Sequence, residues 1–201
     1  MWPTMKPYFE ILDLPEIPLH LIQEIRLRLD NDKQFLAKKS YQNLPGFEEY
    51  RNRKLLCQDK KTKISVTAER YLPSDELTLW IMTNVHATPI SVNINLTNIK
   101  SDSFGPHVDP GRRQIMMYVI DPGGENVVTK WWQQIGHSII RTDLQDLTSK
   151  YNADVSDYTQ LKECASLCIR PGQWVKFCDT AILHSVENLI SPRLTVQIPI
   201  Q

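Results

Sequence analysis

Two periods of hydrophobic spacing run along the chain, and the change from one to the other divides it. Over residues 19–30, Leu19, Ile22, Ile25 and Leu29 recur three and four positions apart, with Leu21 between them. That spacing puts them on one face of an amphipathic helix. Pro3, Pro7, Pro15 and Pro18 precede it and predict an irregular lead-in. A second helix is predicted over 47–57, after the Pro45-Gly46 breaker, with Arg51, Arg53 and Lys54 on a solvated face. Lys60-Lys61-Thr62-Lys63 reads as a basic loop, and Ile64 to Ala68 alternates as a strand does. Between Ser74 and Val85, Leu77, Leu79, Trp80 and Met82 fit helix or strand equally.

From residue 90 the period is two. Val92, Ile94, Leu96 and Ile99 interleave with asparagine and threonine, a half-buried strand with a bulge expected near Asn98. Gln114 to Ile120 predicts a core strand, Asp121-Pro122-Gly123-Gly124 a turn, and Val127 to Trp132 the returning strand. Ile135 to Arg141 reads as a further extended piece, and the polar run Thr142 to Glu163 as a surface excursion with some helix. Pro171-Gly172 opens a strand over Gln173 to Cys178, and Ala181 to Val186 forms a short buried one. At the end, Leu194, Val196, Ile198 and Ile200 alternate with Arg193, Thr195 and Gln197, so the second set lines a polar pocket. Short strands punctuated by Gly/Pro turns, after a helical first half, predict a mostly β chain with a jelly-roll core. One domain over 1–201 is expected, with 1–89 a mainly helical support region and 90–201 the core.

Composition narrows the classes. Lysine plus arginine equals aspartate plus glutamate at 23 each, so no net charge drives binding to nucleic acid or anionic membranes. No run approaches the roughly 20 apolar residues that span a bilayer, and Met1 to Pro7 lacks the form of a signal peptide. A cytoplasmic location is the expectation. Cys164 and Cys168 offer half of a zinc site with no second pair, so these two, Cys57 and Cys178 are read as ordinary thiols.

The chemistry is concentrated in His107-Val108-Asp109, His184 and Arg193. A histidine and a carboxylate two apart on an extended segment project to the same side and make a two-point clamp for a divalent metal. A second imidazole completes a facial triad with open positions, the set used by non-haem Fe(II) oxygenases, and His184 is the natural third ligand. Arg193 and Thr195 share a strand face, where an arginine fork suits a carboxylate. The ordered set HVD, then HSVEN, then PRLT resembles the Fe(II)/2-oxoglutarate-dependent dioxygenase superfamily over about residues 100–201, with prolyl-hydroxylase-like and aspartyl/asparaginyl-hydroxylase-like members the subgroups considered.

The resemblance implies a double-stranded β-helix, cupin-like core, with His107, Asp109 and His184 holding Fe(II) and Arg193 taking the far carboxylate of 2-oxoglutarate. It implies consumption of O2, decarboxylation of 2-oxoglutarate to succinate, and hydroxylation of a protein or peptide side chain or a free amino acid. Thr195 adds a hydrogen bond to the co-substrate in this reading. Tyr118, Thr129 and Trp131 are candidates for contacting co-substrate or substrate, the alternative being core packing or sheet surface. Two other readings stay open: a catalytically inactive jelly-roll metal-binding or interaction protein, and a cupin-like metalloenzyme that needs no 2-oxoglutarate.

Overall fold

The computed structural model describes residues 7–31, 66–71, 73–85, 92–99, 103–107, 114–136 and 158–200. Among them are ten strands in two antiparallel sheets and two α-helices. The chain enters through β1 (Phe9–Leu12), then α1 (Leu19–Asn31), β2 (Val66–Tyr71) and α2 (Asp75–Asn84). Eight strands follow: β3 (Asn93–Ile99), β4 (Ser103–His107), β5 (Gln114–Asp121), β6 (Val128–Gln134), β7 (Leu161–Leu167), β8 (Trp174–Phe177), β9 (Leu183–Glu187) and β10 (Arg193–Ile200). One sheet has the order β1-β8-β5-β10-β3-β2, the other β4-β9-β6-β7.

The last eight strands pair as a ribbon folded double: β3 with β10, β4 with β9, β5 with β8, and β6 with β7. Wrapping that ribbon so that successive rungs alternate between sheets gives the jelly roll. The β6–β7 connection is its tip. There the Ile135 amide donates to the Gln160 carbonyl at 2.9 Å, and Gly136 leaves the space that the Gln160 side chain fills.

Two cores result. Leu21 and Ile25 of α1 and Leu77 and Ile81 of α2 pack on the outer face of the larger sheet, against Tyr118, Trp174, Val196 and Ile198. Burying such side chains contributes roughly 1.5–3 kcal/mol each. A helix of this length is marginal alone, so packing holds it. Between the sheets lie Ile115, Met117, Val119, Trp131, Val175 and Phe177.

The ambiguous segment 74–85 is a helix because its capping chemistry decides what periodicity left open. Ser74 Oγ accepts from the Leu77 amide at 3.2 Å, and Asp75 and Glu76 complement the dipole of the first turn. The same hydroxyl donates to Glu24 at 2.9 Å, tethering α2 to α1. Helix α1 and strands β3, β5, β6, β8, β9 and β10 lie where the spacing predicts.

Several expectations differ from the structure. Strand β1 was not expected in the support region, and with β2 it extends the larger sheet. Strand β2 begins at Val66 and runs to Tyr71, past the predicted stretch. No bulge interrupts β3 near Asn98, where the register with β2 runs unbroken from Val66↔Ile99 to Tyr71↔Ile94. The irregularities fall instead at Leu194/Thr195, at Trp131/Trp132, and between Phe104 and His107. Ile135 lies beyond the end of β6, and the rest of the extended piece expected up to Arg141 falls, from residue 137 on, outside the described residues; Leu161 to Leu167 is a strand that the polar reading missed. The helix expected over 47–57 and the basic loop lie outside the described residues.

Candidate functional site

Strand β10 separates two environments by parity. Leu194, Val196 and Ile198 point to the helices, while Arg193 and Thr195, only 5% and 3% exposed, point between the sheets. Among the described residues no carboxylate pairs with Arg193; its Nη2 reaches the Met117 Sδ at 4.0 Å. Desolvation lowers its pKa to about 10, so it remains a cation at neutral pH. A buried charge without a counter-ion is costly, by several kcal/mol. An anion entering from outside would offset that cost.

Other polar groups in this interior are also unanswered. Asn95 Oδ1, Thr129 Oγ1 and Trp131 Nε1 are buried without a hydrogen-bond partner. Register sets Asn95 opposite Thr195 and Trp131 opposite His184. Thr129 follows the β5–β6 turn, and Arg193 opens β10 at the same end of the barrel. There Gly123, at φ +87°, accepts with its carbonyl from the Ile190 and Ser191 amides at 2.9 and 3.0 Å. Positive φ favours glycine, and a side chain here would meet Leu189. Trp131 is held between Phe9 and Phe177, with ring centroids 4.9 and 5.2 Å away.

His184 is buried, with its ring edge-on to Phe177 at 5.6 Å. Its Nδ1 lies 2.9 Å from the Ile182 carbonyl, which can only accept, so Nδ1 carries the proton. In the neutral ring Nε2 then keeps its lone pair, the tautomer a metal ligand requires. On the opposite face of the smaller sheet, Trp132 Nε1 donates to Ser185 Oγ at 2.8 Å, and Ser185 donates to Glu187 at 3.2 Å. Lys130 bridges Glu163 and Glu187 at 3.0 and 3.1 Å, and these carboxylates, Glu163 foremost, hold its ammonium above the ordinary lysine value. Strands β6, β7 and β9 are thereby cross-linked on the face opposite His184.

The predicted site residues are brought together unevenly. Arg193, Thr195, Thr129, Trp131 and His184 all belong to the inter-sheet interior. His107 ends β4 with its backbone in register opposite His184, whereas Asp109 lies outside the described residues. No cluster of three His, Cys, Asp or Glu occurs among the described residues. Tyr118 is not brought to this interior: it faces the helices beside Trp174, with ring centroids 5.0 Å apart. Burial, then the nearby Glu16 carboxylate, raise its pKa. Cys164 is a half-buried thiol and Cys168 an exposed one, while Cys178 is buried. Gln197 lies on the pocket face as the alternation of β10 predicts, whereas Asn95 and Met117 line the same interior without having been singled out. Their only sequence signal is strand parity with Arg193, which needs the register to be legible.

The donors Arg193, Thr129, Thr195 and Trp131 suit a carboxylate, and the His184 tautomer suits a divalent metal. No protein-family model matches the chain, and no curated protein matches its sequence. Among solved structures, it is similar to a prolyl-4-hydroxylase from Pseudomonas putida at 10% identity and a TM-score of 0.45, covering 96% of this chain and 93% of that one. No helix among the described residues is long and apolar enough to cross a membrane.

Proposed function

We propose that the chain is an Fe(II)- and 2-oxoglutarate-dependent dioxygenase that hydroxylates a protein or peptide side chain or a free amino acid. The observation that carries this reading is Arg193: a buried cation, without a carboxylate among the described residues, in the same interior as a histidine whose tautomer suits a metal. In this reading His107, Asp109 and His184 hold the iron. With 2-oxoglutarate bound, the iron supplies the activation of O2 for hydroxylation.

The protein's own contribution is placement. Arg193 receives the far carboxylate through charge-assisted hydrogen bonds, with Thr195 and Thr129 as neutral donors, and the surrounding apolar residues exclude water that would weaken them. The Ile182 carbonyl keeps the proton on Nδ1 of His184 and thereby orients the ring. Trp131, wedged between Phe9 and Phe177, presents a fixed N–H into the interior.

The test is anaerobic titration of Fe(II)-loaded protein with 2-oxoglutarate, followed by the weak visible charge-transfer band of bidentate chelation. The band is expected in the native chain and absent in Asp109→Ala. Arg193→Ala should require roughly 10- to 100-fold more co-substrate, as loss of a charge-assisted pair implies. Folded, iron-loaded protein that gives no band would overturn the assignment in favour of a metal-binding or interaction module.

A further inference from the structure

The thioether of Met117 lies beside Arg193, which no carboxylate pairs among the described residues. It projects from β5 between the sheets and is 5% exposed. Two donors from β10 converge on its sulfur, Arg193 Nη2 and Gln197 Nε2, each at 4.0 Å. Gln197 is directly opposite Met117 in the register, while Arg193 lies four residues away along β10, so its side chain extends along the strand to reach the same atom. A sulfur is a weak acceptor, and 4.0 Å is the outer limit of such a contact. It gives the guanidinium a resting direction without neutralising it.

The alternatives at position 117 make the role specific. An oxygen acceptor would take the guanidinium donors more strongly and compete with an incoming carboxylate. A purely aliphatic side chain of the same size would fill the volume and leave Arg193 without any partner among the described residues. From this geometry we propose that Met117 is a positioning residue: its sulfur, held in turn by Gln197, keeps the Arg193 guanidinium extended and available to the far carboxylate of the co-substrate. The proposal rests on the 2-oxoglutarate reading of the site. It adds a residue of β5 to the recognition of that carboxylate, acting through Arg193 and not by contact with the ligand.

The experiment is calorimetric titration of Mn(II)-loaded native protein, Met117→Leu and Met117→Gln with 2-oxoglutarate, and with pyruvate, which has the keto acid but no far carboxylate. Leucine should weaken 2-oxoglutarate binding roughly three- to tenfold through lost pre-organisation. Glutamine should weaken it further, because its amide oxygen competes for Arg193. Pyruvate should bind all three proteins alike, since it does not use Arg193. Wild-type affinity for 2-oxoglutarate in folded Met117→Leu would overturn the proposal, as would parallel losses for both ligands, which mark general disruption. Failure of the native protein itself to bind 2-oxoglutarate would overturn the underlying reading, and this proposal with it.

Discussion

Replacing Arg193 with methionine is expected to stabilise the ligand-free fold while abolishing its response to 2-oxoglutarate. Arg193 is 5% exposed, and desolvation alone lowers its pKa from the ordinary arginine value to about 10. At 1.36 kcal/mol per unit, that corresponds to about 3 kcal/mol of native-state cost for the charged form. Methionine keeps much of the apolar stem and removes the charge, so a gain of roughly 1–3 kcal/mol is expected, about 3–10 °C in melting temperature for a chain of this size. With co-substrate at a hundred times its dissociation constant, the native protein should gain about 2.7 kcal/mol by linkage, and the variant close to nothing. The two melting temperatures therefore converge or cross as 2-oxoglutarate is added. The penalty also has a pH signature. Above about pH 10 the unfolded chain still binds the proton that native Arg193 releases, so native stability rises with pH there relative to the variant. Thermal and urea unfolding, each with and without ligand, read these differences. A variant less stable than the native chain, or equally stabilised by 2-oxoglutarate, would refute the reasoning.

Gly123→Ala should cost more than 2 kcal/mol in urea unfolding, because φ is +87° and the new Cβ would lie 2.5 Å from Leu189 Cδ2; a loss below about 0.5 kcal/mol would show that the turn relaxes freely. Thr129→Val removes a buried hydroxyl that lacks a partner and keeps the shape, so ligand-free stability should hold or rise by up to about 1 kcal/mol while 2-oxoglutarate affinity falls, as titration calorimetry would read. Tyr118→Phe should do the reverse, lowering stability by about 1 kcal/mol through loss of the bond to the Ile17 backbone and leaving co-substrate affinity within twofold of native.

What the chain revealed before folding follows from where its periods are clean. Strand β10 alternates without interruption, so Arg193 and Thr195 were legible as partners on a polar face. Strand β5 is buried at six consecutive positions, from Ile115 to Ile120, so parity carried no hydrophobic signal and Tyr118 was open to either side. The same uniform burial hid Met117. Strand β7 failed for the opposite reason: as an edge strand with Lys162 and Glu163 exposed, it has no continuous apolar face to announce it. Strand β1 is only four residues long, and its backbone pairing with β8 does not depend on a marked side-chain pattern. His184 was readable as a candidate, but its tautomer follows from the Ile182 carbonyl, a contact that only the bend before β9 creates.

The doubled ribbon also bears on how such a chain can diversify. Its tip springs from the end of the barrel where β4 ends with His107 and β9 begins just before His184. The bond between Ile135 and Gln160 fixes the spacing of the two stems, and Gly136 leaves room for that clamp. Doubling the length of a flexible segment between fixed ends costs only about 0.6 kcal/mol of closure entropy. Sequence added or removed between those stems would therefore leave every rung behind them in register. Descendants of one such chain can try new sequence at that tip while inheriting the buried Arg193 and the rung of His107 and His184 unaltered.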